Sequence, residues 1–576
     1  MWFVAYLKEN YIYMNLSKHT EFTTADAIVQ ELVREGVKVV FGIVSIHNLP
    51  IYDAINRNGT IRLITARGES GAVNMAEGYA RSTGKIGVIL TSTGAGAGNA
   101  AGSLTEAWNA GVPLLHVTGD VASPYLGTGK RYIHESKNQN TMMDGASKKS
   151  YLLKNCHQTT VIVRESIQEA KTLPSGPITL NIPIDLQSII VPKSQILNLE
   201  DSKTFLMDKV MEIPRDVLKE ITNASRPVIW AGGGVVYADA ACELKSFAEK
   251  IGAAVITSES GKGVIPENHP LCIGHFGSYE ATQKLLNNSD LLISIGVRFR
   301  GNETTNWTVV MPENHIGIDA DPNIFNLNYT VKYGLTGNAK QILNQLLKDL
   351  PENSSTNNQD YLEEIKDVRY AVRLALEKTL GPYKEFAEVM RNSLSTSTIL
   401  VRDVTVPASL WGSRLVDIHK PRTSIHANGG GIGQGLPMAI GAQVGCENDT
   451  VVLMVGDGGF LVNIGELATA SQENLPLVII LFDDSGYGVL RGIQDATYGR
   501  RVGVELKSPD FETLGKSMGF KTSKVSDSVD FATELKLAIN QKKPAIIVVD
   551  MKQVGPMAIP YQGSPAIMHA FRPKEL

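Results

Sequence analysis

Cysteine is scarce in this chain of 576 residues: Cys156, Cys242, Cys272 and Cys446 lie far apart, with no CxxC pair. That excludes a disulfide scaffold and a Cys-based zinc site, and it suits reduced thiols in a cytoplasmic protein. An excess of one charge sign is missing too, with 55 basic against 59 acidic residues and a formal net charge of −4. Nucleic-acid binders usually carry a basic face, so no nucleic-acid partner is expected. Long apolar runs are also absent. The longest are strand-length and are broken by Gly, Pro or charge, so no membrane span is expected. Residues 1–12 are apolar and aromatic but contain Lys8 and Glu9 and no small-residue cleavage site. A signal peptide is therefore not expected, and Met14 is an alternative start.

What the chain does have is alternation. Short runs rich in Val, Ile and Leu, such as Val37–Phe41, Ile86–Leu90, Pro113–Val117, Pro227–Trp230, Leu291–Ile295, Val451–Val455 and Leu477–Phe482, alternate with helical patterns. Strands without polar alternation belong to parallel sheets covered on both faces, so the fold class is α/β. Polar stretches at Pro192–Lys203 and Pro351–Asp360 read as linkers. They divide the chain into domains at 15–190, 200–350 and 365–550, followed by a tail at 551–576.

The first and last thirds repeat each other. At an offset of 363, Val88–Leu90 falls on Val451–Leu453, Gly78 on Gly441, Leu104 on Leu467, Ala107 on Ala470 and Pro113 on Pro476. Both copies read strand, Gly-rich turn, helix, Pro, strand. Any two βαβ units look somewhat alike, but gap-free agreement at Gly, Leu, Ala and Pro favours a duplication. The copies differ where it matters: Gly94 in the first corresponds to Asp457 in the second.

Asp457 stands between Gly456 and Gly458 just past an apolar strand, with Gly459 following. Ligands bind at that edge of open α/β sheets. A carboxylate beside glycine amides suits Mg²⁺ bridging to a diphosphate, and Asp484 with the Gly486 carbonyl, past the neighbouring strand, could complete the metal site. By itself Gly-Asp-Gly is also ordinary turn chemistry. The combination of GDG at 456–458, 25 intervening residues and Asp484 before Gly486-Tyr487-Gly488 resembles the motif of the thiamine-diphosphate-dependent enzymes. Those enzymes carry Asn where this chain has Asp484. Over nearly its whole length the chain resembles the acetohydroxyacid (acetolactate) synthase and benzoylformate decarboxylase branches of that superfamily.

The resemblance implies two copies of the thiamine-diphosphate-binding fold, a pyrimidine-binding one first and a diphosphate-binding one last, with a Rossmann-like domain between them. It implies thiamine diphosphate and Mg²⁺ as cofactors and 2-oxo acids as substrates. The activity implied is that of an acetolactate synthase, with a non-oxidative 2-oxoacid decarboxylase or a cofactor-binding, non-catalytic homologue as alternatives. Glu69, in Arg67-Gly68-Glu69 at a helix start, takes the place of the glutamate that bonds N1′ of the aminopyrimidine and promotes loss of the thiazolium C2 proton. Desolvation there would suit sharing that proton, although a helix-start Glu also simply complements the dipole. Ile432, beside Gly431, matches the apolar wedge beneath the bent cofactor, and Thr405 lies in the loop that touches the diphosphate.

His47 matches a position where a carboligating relative has His, and could relay protons. His134, Glu135 and Gln139 could form a polar wall near the thiazolium, or a solvated loop. FAD is less expected, because the paired acids that follow Arg-Phe in the synthases are replaced by Arg300-Gly301-Asn302. A homodimer or homotetramer is implied, with Glu69 reaching a cofactor held by the partner's Asp457, and a small regulatory subunit is allowed.

Overall fold

The computed structural model describes residues 21–192, 212–351 and 358–563. The alternative start, most of both linkers and the end of the tail lie outside the described residues. Within them are three six-stranded sheets, and every pairing between their strands is parallel.

The first sheet holds β1 (Val39–Gly42), β2 (Arg62–Thr65), β3 (Gly87–Thr91), β4 (Leu114–Asp120), β5 (Lys149–Leu152) and β6 (Ile178–Pro183), in the order β2-β1-β3-β4-β6-β5. The second holds β7 (Pro227–Ala231), β8 (Ala254–Thr257), β9 (Cys272–Gly274), β10 (Leu291–Ile295), β11 (His315–Asp319) and β12 (Tyr333–Thr336), in the order β12-β11-β10-β7-β8-β9. The third holds β13 (Ile399–Arg402), β14 (Ser424–His426), β15 (Val451–Gly456), β16 (Val478–Asp483), β17 (Lys521–Val525) and β18 (Ala545–Asp550), in the order β14-β13-β15-β16-β18-β17. The first and third orders are the same permutation, so the internal repeat is a repeat of topology.

The central strands are buried along their whole length, as β3, β10 and β15 show. Helices cover both faces, which is why the sequence shows continuous apolar runs. The strand expected from Val37 begins at Val39, because the Val37 N–H donates to Leu32 O and closes the preceding helix.

Helices Glu69–Thr83 and Gly435–Gly445 cross at glycines. A Cβ on Gly78 would lie 2.0 Å from Met438 O, and one on Gly441 would lie 1.8 Å from Met75 O. Both partners are related by the offset of 363. The contact is reciprocal, as across a twofold axis. Around it the two domains share one core, with Ala72, Met75 and Ala76 of the first and Met438, Ala439 and Leu467 of the third. The central domain shares a second core with the third. No helix among the described residues is long and apolar enough to cross a membrane.

Candidate active site

The carboxyl edge of the third sheet gathers acids and glycines. Strand β15 ends at Gly456, where a Cβ would lie 2.8 Å from Thr405 Oγ1. Asp457 opens the next helix and is 1% exposed. Side chains are excluded at the following two positions. A Cβ on Gly458 would meet the Tyr487 ring at 2.7 Å, and one on Gly459 would meet Asp403 Oδ1 at 3.0 Å. Asp457 Oδ2 accepts the Gly486 N–H at 2.9 Å and the Ser508 hydroxyl at 3.1 Å. The Ser508 hydroxyl also reaches Asp483 Oδ1 at 3.0 Å.

Asp484 follows β16, and its Oδ2 accepts from Arg491 Nη1 at 3.0 Å. Burial lifts the Asp457 carboxyl to about 6, and the charges of Asp484 and Asp483 add to the rise. Burial also raises Asp484, while Arg491 pulls it back down. A single guanidinium thus faces a cluster of acids, a donor set left short of positive charge. Hard oxygen donors of this kind fit Mg²⁺. Among the described residues no group of three or more His, Cys, Asp or Glu could hold a metal. A cation here would therefore rest on Asp457, Asp484, backbone oxygen such as that of Gly486, and oxygens of the ligand itself.

Asp403, immediately after β13, organises the rest of the cradle. Its Oδ1 accepts from Val404 N at 2.7 Å and Gly433 N at 3.1 Å, and its Oδ2 accepts from Gly435 N at 2.7 Å. Burial raises its pKa against these three donors. Asp403 fixes the turn that carries Ile432, a residue left 39% exposed. Gly433, at φ +83°, turns the chain beside it, and Gly431 makes room for Gln434 Nε2, 2.4 Å from where a Cβ would lie. Thr405, Ile432, Gly456, Gly458, Gly459, Gly486 and Tyr487 line one cavity of about 1410 Å³ between the third and central domains.

Asp457, Asp484 and Gly431 lie just behind that lining, and Glu69, His47 and Gln139 of the first domain are not part of it either. Glu69 begins its helix in the first domain, half-buried, and accepts from Asn99 Nδ2 at 3.1 Å. His47 is 2% exposed, and its Nδ1 has no hydrogen-bond partner. Its ring meets that of His134 edge-on at 5.5 Å. Burial first, and then His134, push its pKa down.

Gln139 is held by the protein on both sides of its amide. Its Oε1 accepts from Thr93 Oγ1 at 2.7 Å and Gly94 N at 2.6 Å, and its Nε2 donates to Gly119 O at 2.8 Å and Asn181 Oδ1 at 3.0 Å. All four bonds go to the protein, so the buried amide ties strand ends together. Glu135 likewise holds its own loop, through the N–H groups of Gly129 and Tyr132. Gly94, the counterpart of Asp457, leaves room for the chain at His134, whose oxygen lies 2.1 Å from where a Cβ would stand. In the first copy a backbone segment thus crosses the place where the second copy carries its acid.

The strand ends of the central domain leave little room between their Gly-rich turns. Its two Gly-rich turns pack on each other: Gly234 N donates to Gly296 O, and a Cβ on Gly296 would lie 2.5 Å from Gly234 Cα. The crevice at these strand ends, lined by Gly233, Gly296, Asp319 and Gly337, has about 100 Å³. Pockets for ligands of drug size start near 300 Å³.

Reasoning from sequence missed Asp403, Ser508 and Arg491. Asp403 carried a usable signal, an acid directly after an apolar strand. Ser508 carried none, since a loop brings it back from a distance.

A duplicated parallel α/β fold, with an acid pair and a glycine cradle at one strand edge, has the chemistry to hold a diphosphate through a cation. Comparison with known proteins narrows this. The family model described as thiamine pyrophosphate enzyme, N-terminal TPP binding domain, matches residues 22–145. The central domain model of the same family matches 215–346, and the C-terminal TPP binding domain model matches 407–549. The chain is 32% identical over 560 residues to a probable acetolactate synthase large subunit of Methanocaldococcus jannaschii, covering 93% of each. It is 29% identical to a probable 2-ketoarginine decarboxylase of Pseudomonas aeruginosa, covering 91% of this chain and 93% of that one. A thiamine diphosphate-dependent 4-hydroxybenzoylformate decarboxylase from Rhodococcus jostii RHA1 shares the fold, with a TM-score of 0.78, 22% identity and coverage of 92% and 99%. The chain belongs to the thiamine pyrophosphate enzyme family.

Proposed function

We propose that this chain is a thiamine-diphosphate- and Mg²⁺-dependent carboligase of the acetolactate synthase kind. It would decarboxylate pyruvate and transfer the two-carbon unit to a second 2-oxo acid. The observation that carries this reading is end-to-end similarity to an acetolactate synthase large subunit, together with an intact cradle in the third domain. When bound, the cofactor supplies a carbanion that adds to a ketone and holds the electrons released with CO₂.

The chain's own residues do the rest. Asp457, Asp484 and the Gly486 backbone would hold the cation. Gly456, Gly458, Gly459 and Thr405 would admit the diphosphate, with Gly431 and Tyr487 shaping the cradle and Ile432 supporting the rings. Glu69 would hold a proton at the pyrimidine. His47, kept neutral by burial, would accept or return a proton at the substrate-derived oxygen.

A second copy completes the site in this reading. Exposed apolar residues flank both halves: Val44, Ile46 and Ile133 around His47, and Ile432, Val462 and Leu490 around the cradle. Patches of this kind mark interaction surfaces. We therefore place Glu69 against a partner's cradle in a homodimer or homotetramer, in the cytoplasm, with a small regulatory subunit as a further partner.

The decarboxylase relative favours a second reading, a non-oxidative 2-oxoacid decarboxylase. Products decide between them. Purified protein given pyruvate, alone and with a second 2-oxo acid, is expected to yield acetolactate-type products. Acetaldehyde alone would reject the leading reading. A non-catalytic homologue would fail to exchange the cofactor's C2 proton.

A further inference from the structure

Helix Glu69–Thr83 has no capping side chain of its own, since its N-cap is Gly68. Donors at such a start need partners. Here an acid from the third domain supplies them. Glu466, 2% exposed, accepts from Arg67 N at 3.0 Å and Gly68 N at 3.1 Å through Oε1, and lies 3.1 Å from Arg67 N through Oε2. The Thr469 hydroxyl donates to Glu466 Oε2 at 2.7 Å and reaches Thr65 O at 3.2 Å. Gly71 leaves the space, because a Cβ there would lie 2.0 Å from Glu466 Oε1. Beside it Ser70 Oγ bonds Asn463 Oδ1 at 3.3 Å, and Asn463 Nδ2 donates to Gly433 O at 2.7 Å, next to Ile432.

We propose that Glu466 is a positioning residue for Glu69, gripping the strand-to-helix turn from which the Glu69 carboxylate projects. Glu466 touches no reacting atom. Charge-assisted bonds to two successive N–H groups fix the turn's direction, and the next residue inherits it. Groups that move protons lose rate steeply when displaced by about 1 Å. The inference rests on Glu69 acting at the cofactor, so its test carries a control for that assumption.

The experiment compares wild type, Glu466→Gln, Thr469→Val and Glu69→Gln. Backbone hydrogen exchange at Arg67 and Gly68, without cofactor, is expected to rise in Glu466→Gln while distant helices keep their protection. In protein loaded with thiamine diphosphate and Mg²⁺, C2-proton exchange is expected to fall by roughly 10- to 100-fold, with a moved pH profile and the cofactor retained. Thr469→Val, which leaves Glu466 in place but frees one oxygen, is expected to show a smaller change of the same kind. It decides the matter if Glu466→Gln does not fold. Unchanged C2 exchange in Glu69→Gln would overturn the premise. Loss of exchange in Glu69→Gln, with wild-type rates and pH profiles in both other variants, would overturn the assignment of Glu466.

Discussion

Asp484 and Arg491 form an ion pair beside the proposed cation site. Where relatives carry an uncharged Asn, this chain adds a carboxylate, and Arg491 lies 3.0 Å from it. The guanidinium also contacts Glu505 and the oxygens of Asp484 and Ser485. Gly486 gives it room, since a Cβ there would lie 2.1 Å from Arg491 Nη2. The net charge of the pair is that of an amide. Asp484→Asn is therefore expected to keep Mg²⁺-dependent cofactor retention within a few-fold, as measured by titration calorimetry. Asp457→Ala removes the carboxylate proposed to hold the cation and is expected to lose about 100-fold. Equal losses in the two variants would refute this account. Ile432→Ala is expected to keep the cofactor bound while slowing C2 exchange, because it removes support and leaves the diphosphate cradle intact.

The elements were legible where one local pattern dictated them. Buried parallel strands announced themselves as apolar runs, and β10 spans Leu291–Ile295 as read. The pairing of GDG with Asp484 was visible because it is a spacing along one chain. The partners of Gln139 were not legible, because only the fold brings Gly119 and Asn181 to its amide. Glu466 and Ser508 escaped because their partners are distant in sequence.

Gly441→Ala forces a Cβ to 1.8 Å from Met75 O at the helix crossing. It is expected to destabilise the protein by about 1–3 kcal/mol, read from urea unfolding. His116 on β4 bridges Thr91 of β3 at 2.8 Å and Thr179 of β6 at 3.1 Å, and burial pushes its pKa down to about 3. The unfolded chain takes a proton there below about pH 6.5, whereas the native strand does not until far lower. Its contribution is whole above the unfolded value and falls by about 1.4 kcal/mol per pH unit as pH drops toward the native one. His116→Gln should remove one proton's worth of that slope. An unchanged slope would place the acid sensitivity elsewhere.

For the whole molecule, the separation of Glu69 from the cavity predicts that activity tracks association. Sedimentation and activity measured over a dilution series should fall together, and an active monomer would contradict the shared site. The closed glycine turns of the central domain predict purified protein without flavin absorption in the visible range. Bound flavin would show that Gly234 and Gly296 part in solution.

The reciprocal contact of Gly78 and Gly441 has a consequence for such a pair of chains. Each chain already contains an approximate twofold axis, so a dimer formed about another axis sets four copies of one fold around a common centre. Of the four strand-end edges in such an assembly, the two bearing Asp457 would carry the diphosphate cradle, while the two bearing Gly94, crossed by the chain at His134, would bring Glu69 and His47. The assembly then has the geometry of a tetramer and the stoichiometry of a dimer. Placing acids at the Gly94 positions would not add cation sites, because backbone crosses there.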